Sequence, residues 1–101
     1  MKKVINHKVY DTSTAKKVAS YCNGFGLGYP YHIDEALYRK KTGEFFLYGF
    51  GGCMTEYSEF EDGIWWSGEN IFPLTEEDAK VWVTAFCDAD TYIALFGKGE
   101  K

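Results

Sequence analysis

Aromatic and β-branched residues in this chain come in short runs broken by Gly, Asn and Asp, a pattern that predicts strands paired in hairpins. Lys3-Val4-Ile5 and Lys8-Val9-Tyr10 flank Asn6-His7, which reads as a two-residue turn because Asn tolerates positive φ. The strongest local signal is Glu35-Ala36-Leu37-Tyr38-Arg39-Lys40 followed by Glu44-Phe45-Phe46-Leu47-Tyr48, two strands joined by Lys41-Thr42-Gly43. Ile64-Trp65-Trp66 and Asn70-Ile71-Phe72 read as short strands across a Ser67-Gly68 turn. Met54 to Phe60 suits a helical turn or an irregular crossing equally, and periodicity does not choose between them.

Helical spacing occurs at three places. Ala15, Val18, Ala19 and Cys22 stand at i, i+3, i+4, i+7 behind the cap residues Asp11-Thr12-Ser13-Thr14, which predicts a short helix over about 13–22, closed by Asn23-Gly24. Thr75-Glu76-Glu77-Asp78 opens a second helix with a capping-box pattern, and Ala79, Trp82, Val83 and Phe86 are its apolar stripe. A third runs from Asp90 to Phe96 and stops at Gly97. Between the first two helices, Phe25 to His32 is a Gly- and Tyr-rich loop with Tyr29-Pro30-Tyr31 at its tip. The expected fold is α+β: a mostly antiparallel sheet built from hairpins, centred on residues 35 to 48, with two or three helices packed on one face.

Composition bounds this picture without changing it. A chain of 101 residues, 46% hydrophobic and 26% charged, is expected to be a single globular domain over 1–101 with no linker. Apolar runs are far shorter than the ~20 residues of a membrane span, and Met1-Lys2-Lys3 leads into no signal-peptide core. Cys22, Cys53 and Cys87 are odd in number and lack CxxC spacing, so a reducing, cytoplasmic setting is expected rather than a disulfide framework.

Charge adds more. Residues 1–50 carry eight Lys/Arg against four Asp/Glu, whereas residues 51–101 carry three against eleven. From Gly51 to Ala79 there are eight carboxylates and no lysine or arginine, a one-signed stretch that speaks of a basic partner. Aromatics form 19% of the chain, and adjacent pairs such as Phe45-Phe46 and Trp65-Trp66 must point to opposite faces of a strand. Either both sheet faces are covered, or one member of each pair is an exposed interface anchor. The candidate partner-binding residues are therefore Glu56, Glu59, Glu61, Asp62, Trp65, Trp66 and Glu69.

Other chemistry finds less support in the pattern. Gly24-Phe25-Gly26-Leu27-Gly28 follows a predicted helix and leads to a loop, the reverse of a nucleotide-binding fingerprint. Cys53 with His32 or His7 matches no local signature of a cysteine hydrolase, so Cys53 reads as a small hydrophobe and no catalytic residue is assigned. No cofactor and no metal is expected: the histidines and cysteines lie far apart in sequence, and the acidic stretch lacks the fixed glycine and alternating ligands of a calcium loop. Stacking platforms for nucleic acid sit in basic grooves, whereas Trp65-Trp66 lies in acidic surroundings. Tyr38, Arg39, Lys40 and Lys41 form a better basic-aromatic group, but a small one, and direct nucleic-acid binding is not expected.

Several segments resemble a family of small acidic accessory proteins carried by phages, plasmids and conjugative elements of Gram-positive bacteria. They are Val9-Tyr10-Asp11-Thr12-Ser13-Thr14-Ala15, the stretch from Glu35 to Gly49, Gly51-Gly52, Met54-Thr55-Glu56-Tyr57, and Ile71-Phe72-Pro73-Leu74-Thr75-Glu76-Glu77-Asp78-Ala79 followed by Trp82. The chain departs from the family pattern at Phe50, where a polar or acidic residue is expected, and at Val83, Phe86 and Cys87, where a charged helix end is expected. Some relatives resemble anti-CRISPR proteins. The resemblance thus implies a counter-defence inhibitor that binds a type II CRISPR effector nuclease with its guide RNA and blocks DNA binding or cleavage by occlusion, without chemistry. The alternative is a small protein-interaction or homo-oligomerisation module of a mobile element, a homodimer for example, with no defence role.

Overall fold

The computed structural model describes residues 1–98. Its elements in chain order are β1 (Lys2–Ile5), β2 (Lys8–Asp11), β3 (Lys16–Cys22), β4 (Ile33–Arg39), β5 (Phe45–Gly51), β6 (Glu59–Glu61), β7 (Ile64–Trp66), β8 (Gly68–Leu74), α1 (Glu76–Phe86) and α2 (Ala89–Phe96). Four strands make the main sheet in the order β3-β4-β5-β8, with every neighbouring pair antiparallel. The 35–48 hairpin supplies its two central strands, as its pattern predicts. Two separate ribbons, β1–β2 and β6–β7, complete an α+β architecture.

Alternation along β5 explains why Phe45 and Phe46 are both buried. Phe45 and Leu47 point to one face, where they pack with Leu37 of β4 and with Ala79, Trp82 and Val83 of α1. Phe46 points to the other face, meeting Tyr10 of β2 and Ile71 of β8. Its ring stacks on Tyr38 at 5.2 Å and meets the edge of Tyr10 at 5.6 Å. Both faces are therefore covered, one by the two helices and the other by the β1–β2 ribbon. Asn6 and His7 at the tip of that ribbon both take positive φ, the conformation of a tight hairpin turn whose twist matches its strands. Lys3 Nζ donates to Asn70 Oδ1 at 2.6 Å, tying the ribbon to β8.

The helix expected over 13–22 is instead strand β3. Asp11 uses its cap-forming side chain locally, accepting from the backbone N–H and hydroxyl of Ser13, so Thr12 to Ala15 close a turn rather than open a helix. Pairing with β4 slips between Lys17 and Ala19, leaving Val18 as an extra residue. Val18, Ala19 and Tyr21 consequently all lean on the helix-side core, and their spacing imitates a helical stripe. Among the described residues two helices lie on that face, within the two or three expected. Strands β7 and β8 do not pair across Ser67-Gly68 either: β7 pairs back onto β6, and β8 joins β5. Asp62-Gly63, both with positive φ, is the actual turn.

A buried carboxylate ties the layers together. Glu35 of β4 accepts from Trp82 Nε1 of α1 at 3.0 Å and from the Tyr57 hydroxyl. Tyr57 reaches it by lying across Gly49, where any Cβ would stand 1.9 Å from the tyrosine ring. Burial first, then the Glu35 carboxylate, push the Tyr57 hydroxyl well above the ordinary tyrosine range, so it stays a donor.

Candidate functional site

The β6–β7 ribbon projects from the end of the sheet where β4 begins and β5 ends. Its register sets Glu59 opposite Trp66, Phe60 opposite Trp65, and Glu61 opposite Ile64. Alternation then sorts the ribbon into two faces. Glu59, Glu61, Ile64 and Trp66 share one, while the rings of Phe60 and Trp65 meet on the other at 5.0 Å, tilted by 51°. No residue of either strand is buried. Trp65 and Trp66 keep 57% and 52% of their surface in solvent, so both indoles are largely exposed.

Beside the ribbon lies the loop between β3 and β4, and the two enclose a groove of about 320 Å³. Leu27, Tyr29, Pro30, Phe50, Trp65 and Trp66 form its apolar lining. The loop is fastened to the end of β5 through backbone contacts. Met54 N donates to Pro30 O at 2.8 Å and Gly52 N to His32 O at 2.9 Å. Gly52 is required there, since a Cβ would meet the carbonyl oxygens of Tyr29 and Pro30 at 2.5 Å. At the neck of the loop, Asn23 donates to Tyr31 O at 2.7 Å and accepts from the N–H groups of Phe25 and Ile33.

His32 sits buried behind the groove, its ring edge against Phe50. Its Nδ1 meets the carbonyl of Phe25, which can only accept, so Nδ1 carries the hydrogen. Its Nε2 lies 2.9 Å from Asp34 Oδ2. The two ring nitrogens are thus turned to Phe25 and Asp34, while Cys53 borders the same groove. Cys22 faces Asp34 across the β3–β4 pair, and the ligand atoms of Cys22, His32 and Asp34 all lie within 4.8 Å of one another.

No protein-family model, curated protein or solved structure matches the chain.

The predicted site residues fall into two groups. Glu59, Glu61, Asp62, Trp65 and Trp66 come together on the β6–β7 ribbon. Glu56 and Glu69 instead line a shallow cleft with Glu59 and Lys3, beside the β1–β2 ribbon, and Glu69 accepts from the Tyr48 hydroxyl at 3.1 Å. Among the described residues, none of these five carboxylates is in an ion pair, whereas Glu44 at the far end of the sheet pairs with both Lys8 and Lys40. Arg39 and Lys40 at that far end rest on the rings of Phe45 and Tyr10. Periodicity missed the loop side of the groove, Leu27 and Tyr29. The available signal was Gly51-Gly52, a pair that lets another backbone approach closely.

Proposed function

We propose that this protein is a stoichiometric inhibitor carried by a mobile element, and that its acidic, aromatic end occupies a basic surface of a large partner protein. The observation that carries the reading is the coincidence, at one end of the sheet, of unpaired carboxylates with a groove walled by exposed aromatics. Large exposed aromatics supply the affinity of protein interfaces, and charges at the rim supply orientation and speed. The type II CRISPR effector nuclease, with the Arg- and Lys-lined channels that hold its guide and target, is the partner the family resemblance implies. Duplex DNA carries one charge per roughly 1.7 Å, far denser than three carboxylates on a ribbon, so Trp65, Trp66 and Leu27 supply most of the binding. The partner's location places its action in the bacterial cytoplasm; among the described residues no helix is long and apolar enough to cross a membrane.

DNA cleavage by type II effectors from Gram-positive hosts, with increasing amounts of this protein, is the direct test. Inhibition that saturates at one equivalent is expected. Full cleavage at large molar excess across several effectors would move the reading to the second one that the same groove favours, a homodimer burying Trp65 and Trp66 between two copies. Light scattering across a concentration series separates the two, since the inhibitor is expected to be a monomer.

A further inference from the structure

The geometry points to a Zn²⁺ site formed by Cys22, His32 and Asp34 at the neck of the aromatic loop. His32 is 4% exposed, and its Nε2 is buried without a hydrogen-bond partner. Nδ1 carries a ring hydrogen toward Phe25 O, so Nε2 is the nitrogen free to ligate, and it lies 2.9 Å from the Asp34 carboxylate. A proton on Nε2 would call for a hydrogen bond to that carboxylate, which the geometry does not form, and two bare acceptors at that distance repel unless a metal cation sits between them. The arrangement is that of a metal-ligating imidazole, whose second nitrogen donates to a backbone carbonyl and so fixes the tautomer and aims the other.

Cys22 decides the kind of ion. It is the last residue of β3 and the cross-strand partner of Asp34, so strand register brings a thiol and a carboxylate to the imidazole. Thiolate, imidazole and carboxylate together suit Zn²⁺, which binds them at about 2.0–2.3 Å in a tetrahedron. Tetrahedral bonds of that length hold ligand atoms roughly 3.3–3.6 Å apart, and the three groups here lie within 4.8 Å of one another. Cys22 and Asp34 are both exposed and can reach that spacing by side-chain rotation, Asp34 moving outward from its 2.9 Å, while the buried His32 stays fixed. Three protein ligands leave a fourth position for water. The ion would join the end of β3 to the start of β4, bracketing the loop that carries Leu27 and Tyr29 and reinforcing the clasp made by Asn23.

The test uses the reduced full chain without any partner, so its failure leaves the binding reading standing. Titration with Co²⁺ as a spectroscopic probe is expected to produce a thiolate-to-metal charge-transfer band that saturates at one equivalent and is displaced by Zn²⁺. Cys22→Ser is expected to abolish the band, and Asp34→Asn to weaken Zn²⁺ affinity at least ~10-fold in chelator competition. Cys53→Ser and Cys87→Ser are expected to leave both unchanged. Because His32 is buried, the exposed Cys22 and Asp34 carry the test, and melting curves of each variant confirm its fold. Zn²⁺ is expected to raise the Tm of the unaltered chain and not that of Cys22→Ser. A missing band, a band that survives Cys22→Ser, or a band removed by Cys53→Ser overturns the assignment.

Discussion

Glu35 shows how a single charged residue can organise a small domain. A buried carboxylate is costly unless its oxygens are satisfied, and here each oxygen accepts from a different part of the chain, Trp82 of α1 and Tyr57 of the segment before β6. Gly49 makes the second bond possible, because the tyrosine ring occupies the volume of a side chain at that position. Gly49→Ala is therefore expected to push Tyr57 off Glu35 and destabilise the fold by about 2–3 kcal/mol, read as a lower urea midpoint. A loss under ~0.5 kcal/mol, the range of an ordinary surface change, would show that Tyr57 moves aside freely. None of this network is legible from local pattern. Gly49 reads as the fading end of an aromatic strand, Tyr57 lies in the stretch where periodicity chooses nothing, and Glu35 reads as a polar position. Their meeting depends on register between strands, which is a property of the assembled sheet.

Elements with strong local chemistry were legible. Helix α1 begins where its capping box predicts: Thr75 Oγ1 accepts from Asp78 N at 3.0 Å, and Asp78 returns a carboxylate to the Thr75 N–H. Ala79, Trp82 and Val83 are buried as the stripe requires, while Phe86 at the helix end remains 43% exposed, its ring 4.3 Å from that of Tyr21. Thr75→Ala is expected to cost about 1 kcal/mol in thermal or denaturant melts, with Thr75→Ser restoring most of it. Equal melting of all three would mean the helix start is held by tertiary packing alone. The second helix is capped by Asp88, whose carboxyl is held below the usual range by hydrogen bonds from the Thr91 side chain and backbone. Strand β3 shows where pattern fails. An extra residue in one strand shifts the alternation by one, and a bulge at Val18 turns period two into something close to 3.6. The Asp62-Gly63 turn lay in plain view as a hairpin dipeptide, yet its strands are only three residues long, too short for periodicity to register.

Across the whole molecule, the charge asymmetry seen in the sequence becomes a spatial one. Lys16, Arg39, Lys40 and Lys41 gather where β3 begins and β4 ends, and Glu59, Glu61 and Asp62 stand beyond the opposite end of the same sheet. The separation is partial, since Glu76, Glu77 and Asp78 of the same acidic run open α1 just past Leu74 at the basic end; the unpaired carboxylates of the β6–β7 ribbon are what would meet a basic surface. Reversing Glu59, Glu61 and Asp62 to Lys is expected to slow association with a basic partner about tenfold or more at low salt, with a much smaller change in dissociation rate. Its stability is expected to fall by about 1 kcal/mol, set by Asp62, whose positive φ a lysine adopts at a cost, while the exposed and unpaired Glu59 and Glu61 add little. Unchanged association in stopped-flow traces across a salt series would remove the acidic ribbon from the interface. The acidic half of this site was readable as an uninterrupted run. The apolar half was not, because its groove is completed by a loop some forty residues earlier in the chain.

The bulge at Val18 and the proline at position 73 carry a consequence for life at high concentration. They lie in β3 and β8, the two outermost strands of the main sheet. Unprotected rims of this kind recruit further strands and seed fibres. Here one rim is twisted by the extra residue and fronted by Lys16 and Lys17, and the other lacks an amide donor at Pro73. A one-for-one inhibitor, as proposed, would have to accumulate to the level of its target. With both outer strands poor templates for further pairing, crowding is not expected to lengthen this sheet.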